Sequence, residues 1–260
     1  MMEMIYMKSM IDEIMKNAII NDISIGCSGD SVKKIIKDDK VYYLKKAKGN
    51  KLDKEYYMFN YLAELNMAPK IVEFKFDGEY SYLLTEKLAG DMICCHEIFD
   101  DMHHVVELAA KAIKLLQSVD IDTCPFYNNL EIKLRTAKYN IEHGLVKTED
   151  MSESSQKRFG DINRVYEYLV NNKIKEEKLC FSHGDLSLPN VYFENDEITG
   201  FIDLGDSGIA DMWFDIAILV KSLRRNYETD EAEKYLFKCL GIEPRYDIID
   251  YYILMTDVFL

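Results

Sequence analysis

The segment that most constrains this chain is Phe181-Ser182-His183-Gly184-Asp185-Leu186-Ser187-Leu188-Pro189-Asn190, echoed by Gly200-Phe201-Ile202-Asp203-Leu204-Gly205. Two carboxylates and one carboxamide are thereby fixed on loops that follow apolar runs. Phosphoryl transfer needs such a set: one carboxylate accepts the proton of an attacking hydroxyl, while an Asn and a second Asp hold the magnesium that bridges the phosphates. Asp185 is the candidate base, and Asn190 and Asp203 are the candidate metal ligands, since magnesium requires hard oxygen donors. Asp203 alone would read as a turn carboxylate after a buried strand; the spacing of all three residues argues against that. His183 beside Ser182 and Ser187 raises a serine-nucleophile mechanism, but no G-x-S-x-G elbow exists. His183 is read instead as a structural ring that hydrogen-bonds backbone and orients the loop.

The order Asp, four residues, Asn, then a later metal-binding Asp is that of the protein-kinase catalytic loop. The chain upstream supports it. Met10, Ile11, Ile14, Met15 and Ile19 predict a helix over 8–20. Strand-like runs follow at 22–28, 31–36 and 41–45, with Asp38-Asp39-Lys40 as a hairpin turn. Residues 53–64 turn helical, with Tyr57, Met58, Tyr61, Leu62 and Leu65 on one side, and strands return at 70–76 and 80–86. This is a mostly antiparallel α+β unit. Lys45 ends its strand and Glu55 lies in the next helix, the strand-Lys and helix-Glu pairing that grips α and β phosphates. Lys46 and Lys48 are rivals; strand alternation puts Lys45 on the face of Tyr43. Gly26-Cys27-Ser28-Gly29 is either a phosphate-covering turn or an ordinary hairpin. Thr85-Glu86-Lys87-Leu88 connects the halves, where backbone groups of Glu86 and Leu88 can meet an adenine edge and Tyr43 can stack on its face.

Beyond Gly90 the pattern is helical, at 105–118, 129–142, 162–171, 211–223, 231–240 and 246–259, with short strands at 191–193 and 198–202. The polar stretch 147–157 is predicted to be a mobile loop. Asp211 and Asp215 open a helix and tie it to the catalytic loop. The expected architecture is two-lobed and protein-kinase-like: residues 1–88 form an antiparallel-sheet lobe with one helix and the hinge, and 89–260 form a larger, mainly helical lobe.

Composition narrows the partners. A formal net charge of −14 disfavours nucleic acid, which needs basic stripes, and suits either simple solubility or a cationic ligand. No apolar run is long enough to span a membrane, and the N-terminus lacks a signal peptide's apolar core. The six cysteines show no zinc or CxxC spacing and suit a reducing cytoplasm.

Ser182-His183-Gly184-Asp185-Leu186, Asn190, Gly200 to Gly205, Ser207-Gly208, Ala210-Asp211, Trp213 and Asp215-Ile216-Ala217 together resemble the aminoglycoside phosphotransferases, most closely the 3′-hydroxyl class. Tyr42-Tyr43-Leu44-Lys45, Cys124-Pro125, Leu240-Gly241-Ile242 and Tyr251-Tyr252-Ile253-Leu254 extend the similarity along the chain. The resemblance implies Asp185 as catalytic base, Lys45 and Glu55 as the phosphate-positioning pair, Asn190 and Asp203 as metal ligands, and Ser28 and Tyr43 near the nucleotide. It implies ATP or GTP with Mg2+ as cofactors, a cationic aminoglycoside as acceptor, and a monomer or weak dimer. That family carries acids where Leu188 and Arg225 stand and Arg where Lys221 stands. The acceptor-side candidates are then Glu153, Asp150 and Asp257, with the terminal carboxylate of Leu260. A related kinase of another small alcohol is the alternative reading, and Leu188 and Arg225 favour it. A nucleotide-binding protein without activity would lack Lys45, Asp185 or Asp203, and none is lacking.

Overall fold

A computed structural model of the chain describes residues 9–23, 31–176 and 178–259. The chain divides into two compact units, Met1–Ala89 and Gly90–Leu260. Ser28, with the Gly26–Gly29 turn, and Leu260 lie outside the described residues.

The first unit contains α1 (Met10–Met15), β1 (Ile19–Ile23), β2 (Ser31–Lys37), β3 (Lys40–Lys48), α2 (Asp53–Ala63), β4 (Ile71–Phe76) and β5 (Tyr80–Glu86). The strands form one antiparallel sheet in the order β1-β2-β3-β5-β4. The Asp38-Asp39 turn has both residues at positive φ, the geometry that matches the twist of a tight hairpin. Ile11 and Ile14 of α1 pack with Ile35, Leu44 and Leu84 on one sheet face.

Two expectations fail here. The predicted helix over 8–20 stops at Met15, because Asn17 adopts a left-handed φ of 59° and Ile19–Ile23 leaves to pair with β2. Asn is among the few residues that tolerate that conformation. In α2 the buried side is Glu55, Met58, Phe59 and Leu62, whereas Tyr57 and Leu65 are exposed. The apolar count misplaced the face because a charged residue, Glu55, belongs to it.

The second unit contains β6 (Asp91–Met92), α3 (His96–Phe99), α4 (Met102–Gln117), α5 (Leu130–Glu142), α6 (Glu153–Phe159), α7 (Ile162–Asn171), β7 (Leu179–Ser182), β8 (Val191–Glu194), β9 (Glu197–Phe201), β10 (Gly208–Asp211), α8 (Met212–Tyr227), α9 (Glu231–Leu240) and α10 (Tyr246–Met255). Its core joins α4, α8, α9 and α10, with Val105, Ala112, Ala217, Leu219, Leu236 and Ile249 fully buried. β7 pairs antiparallel with β10, and β6, β8 and β9 form a second small sheet. These short strands deliver the loops that bear Asp185, Asn190 and Asp203. Gly241 ends α9 in a left-handed C-cap. Among the described residues, no helix is long and apolar enough to cross a membrane.

The stretch predicted as a mobile loop over 147–157 is instead a 3-10 turn (Thr148–Asp150) followed by helix α6. Its serines are structural: the Ser152 hydroxyl accepts the Ser155 N–H as N-cap, and Gly160 closes the helix at positive φ.

Candidate functional site

In the first unit, Lys45 lies within β3 rather than at its end, and its Nζ is 2.9 Å from Oε2 of Glu55 on α2. Alternation along β3 explains the selection among the lysines. Leu44 points into the α1-side core, so Lys45 faces the opposite side with Tyr43. The neighbouring Lys46 sits 3.9 Å over the Tyr80 ring instead. Glu55 is 3% exposed, so its charge requires a partner, and Lys45 supplies it. Tyr43 is half-buried opposite Thr85. At the end of β5 the Glu86 N–H donates to the Lys70 carbonyl and the Lys87 N–H to that of Val41. Leu88 follows, half-buried, its N–H taken by no described residue.

In the second unit the catalytic-loop candidates sit together. The Asn190 amide Nδ2 donates to Oδ2 of Asp185 at 3.0 Å and to the Asp185 carbonyl at 2.9 Å. That commits the nitrogen end of the amide to Asp185 and leaves the Oδ1 end as the hard donor a cation would use. Asp203 is exposed, holds a left-handed φ of 59°, and raises the pKa of Asp185 through its charge. Aspartate, like asparagine, visits that conformation more readily than most residues, so the turn forms without a glycine. Burial pushes the Asp185 carboxyl above the ordinary carboxylate range; His183 opposes the rise, the charges of Asp203 and Asp206 add to it, and the Asn190 hydrogen bond opposes it.

The loop is clamped from beneath. Asp215 on α8 is 5% exposed and accepts from the Ser182 hydroxyl (2.8 Å), the His183 N–H (2.7 Å) and the Gly184 N–H (3.0 Å). Asp211 caps α8 by accepting the Trp213 N–H. His183 is fully buried: its Nε2 donates to the Ile202 carbonyl at 2.9 Å and its Nδ1 accepts the Asp185 N–H at 3.2 Å. Those two bonds require the neutral ring protonated at Nε2, so His183 joins the Asp185 loop to the Asp203 loop. Gly184 has φ of 87°, and a Cβ there would lie 2.2 Å from the Asp206 carbonyl oxygen, so only glycine fits.

The acceptor-side candidates divide. Glu153 is exposed in the first turn of α6. Asp257 is 8% exposed and both of its oxygens are engaged by Ser152, at 3.2 Å from the N–H and 3.0 Å from the hydroxyl. It anchors α6. Asp150 turns back to accept the Lys147 N–H. Leu188 does not present itself to solvent: it is fully buried against α8, and its N–H donates to the Ser222 hydroxyl. Arg225 is exposed on α8, and Lys221 donates to Oγ1 of Thr256. Ser222 and Asp206 were missed by sequence reasoning. Ser222 had no motif to mark it, but Asp206, three residues after Asp203, was within reach of the loop pattern.

The donor set of Asn190 and Asp203 fits magnesium, which prefers one or two protein oxygens beside water and substrate phosphates. Among the described residues no three His, Cys, Asp or Glu side chains converge as an all-protein metal cage.

Comparison with known proteins matches residues 20–247 to the model of the "Phosphotransferase enzyme family". The aminoglycoside 3′-phosphotransferase of Enterococcus faecalis is 34% identical over 90% of this chain and 91% of its own length. Among solved structures, an aminoglycoside 3′-phosphotransferase of type VIII aligns with a TM-score of 0.76 at 23% identity, covering 92% of this chain and 94% of its own. The Streptomyces rimosus aminoglycoside phosphotransferase in complex with ADP and streptomycin aligns with a TM-score of 0.76 at 21% identity, covering 93% and 92%.

Proposed function

This chain belongs to the phosphotransferase enzyme family, among the aminoglycoside phosphotransferases, and from that premise we propose that it transfers the γ-phosphoryl group of ATP to the 3′-hydroxyl of an aminoglycoside, which would confer resistance. The observation that carries the reading is the half-buried Asp185 carboxylate, oriented by the Asn190 amide beside the exposed carboxylate of Asp203.

In this reading Asp185 accepts the proton of the acceptor hydroxyl as that oxygen attacks the γ-phosphorus in line. Its raised pKa suits the task, because a more basic carboxylate takes a proton more effectively than an ordinary one. Lys45, fixed by Glu55, places a cation for the α and β phosphates. Asn190 through Oδ1 and Asp203 through its carboxylate would hold Mg2+, which neutralises charge developing on the phosphates. The Leu88 N–H is suited to an adenine edge, and Tyr43 to its face. Phosphoryl transfer is direct, with no phospho-enzyme. An exposed Glu153 and an overall charge of −14 suit a polycationic acceptor. A nucleoside triphosphate substrate suits a cytoplasmic enzyme.

The test is coupled nucleotide consumption across aminoglycosides with and without a 3′-hydroxyl, beside unrelated alcohols. Turnover requires the 3′-hydroxyl if the proposal is correct. Turnover only with other alcohols would favour a related small-molecule kinase, the reading suggested by the exposed cation Arg225 on α8.

A further inference from the structure

Residues 126–128 form an unexpected support for the metal loop. They run beside β10: Tyr127 bridges Ile209 in parallel, the Ile209 N–H donates to the Phe126 carbonyl, and the Asn128 N–H donates to the Ile209 carbonyl. This fixes the Asn128 backbone to the strand that follows the Asp203 loop. Its side chain, 7% exposed, then donates from Nδ2 to the Asp206 carbonyl. The assignment of Nδ2 is forced, since a carbonyl accepts and cannot face another acceptor. The Asp206 carbonyl is also the atom against which Gly184 packs, at a distance that excludes a Cβ. The turn is short: both the N–H and the hydroxyl of Ser207 donate to the Leu204 carbonyl. One backbone oxygen, three residues after Asp203, is thus the meeting point of the catalytic loop, the metal loop and a buried amide from a distant segment.

We infer that Asn128 is a positioning residue for the metal site: by holding the Asp206 carbonyl it fixes the turn that carries Asp203, next to Ile202, whose N–H donates to the Asn190 carbonyl. Magnesium demands near-ideal octahedral geometry, and a displacement of about 1 Å at a reacting centre can cost on the order of 100-fold. Removing the Asn128 donor leaves Asp203 chemically intact but frees its turn to shift. The effect should therefore appear in metal-dependent binding and not in contacts to nucleotide alone. The Asn128 side chain bonds the Asp206 carbonyl and not the proposed base.

The inference rests on the magnesium-dependent reading above, and the experiment separates the two. ADP affinity is measured by isothermal titration calorimetry with and without Mg2+, for the full chain and for Asn128→Ala and the isosteric Asn128→Asp, with far-UV circular dichroism as the check on folding. In the unaltered chain Mg2+ should strengthen ADP binding; no strengthening would overturn the magnesium reading itself. In either folded variant, affinity for ADP with Mg2+ should fall at least fivefold while affinity for metal-free ADP stays within twofold. Turnover should fall about tenfold or more with the acceptor KM unchanged. A folded variant with normal affinity in Mg2+, or with equal losses with and without it, would overturn the inference. Loss of folding in both variants would overturn it too, by making Asn128 a residue of stability.

Discussion

Asp215 is the residue whose loss has the most calculable consequence. It is buried, and three donors of the catalytic loop converge on its two oxygens. Hydrogen bonds to a charged group contribute about 1.5–3 kcal/mol each, and a buried donor left bare costs about 1–3 kcal/mol. In Asp215→Ala the His183 N–H and the Ser182 hydroxyl lose this acceptor, while the Gly184 N–H keeps the Ser182 hydroxyl oxygen at 3.2 Å. Two bonds are lost outright and a third is weakened, a gross cost of about 5 kcal/mol. Removing the desolvated carboxylate itself returns part of this, which leaves about 3 kcal/mol. For a chain of this size that lowers Tm by roughly 10 °C. Asp215→Asn keeps one acceptor oxygen and turns an NH2 toward the third donor, so its loss should be about half. Turnover should fall about 100-fold in Asp215→Ala, since Asp185 lies two residues beyond the loosened His183. Differential scanning calorimetry and steady-state kinetics measure both. A Tm within about 2 °C of the unaltered protein would refute the clamp, since that corresponds to less than about 1 kcal/mol.

Other outcomes follow from the same geometry. The acid limb of kcat/KM should lie above the ordinary aspartate range of about 3.9, because burial raises the Asp185 pKa and activity requires the ionised form, lost as pH falls through that raised value. By linkage the ionised carboxylate opposes folding, so Asp185→Asn should raise Tm at neutral pH, with the gain shrinking as pH falls through the folded-state pKa; a pH series of melts checks the sign. Lys45→Met should destabilise by about 3–5 kcal/mol by removing the cation paired with the buried Glu55 carboxylate, and adding Glu55→Gln should recover most of that in urea unfolding. Asp257→Ala should release the N-terminus of α6 at a cost of about 1–2 kcal/mol, seen as faster amide hydrogen exchange across residues 153–159.

The order of elements and the catalytic-loop partners were legible because they rest on local pattern. Strand alternation distinguished Lys45 from Lys46, and the Asp185 to Asn190 spacing corresponds to a hydrogen bond. What escaped depends on tertiary contacts. The apolar count on α2 misses Glu55, because an inward-facing carboxylate is marked by its pairing with Lys45 and not by hydrophobicity. The serines near 152 read as loop until Asp257, more than a hundred residues later, supplies the partner that fixes the cap. Leu188 stands where the family carries an acid, yet its N–H bond to Ser222 and its packing on α8 turn it inward. Asn128 carries no motif, since its importance comes from which carbonyl it meets.

The central claim is that Asp185 is the base for phosphoryl transfer to an acceptor hydroxyl. Phosphorus-31 NMR of a reaction with ATP, Mg2+ and an aminoglycoside bearing a 3′-hydroxyl tests it most directly, with Asp185→Ala run alongside. The unaltered protein should yield ADP and a new phosphomonoester resonance on the drug, and Asp185→Ala should yield neither while still binding ATP. Phosphomonoester formation by Asp185→Ala at the normal rate would contradict the assignment.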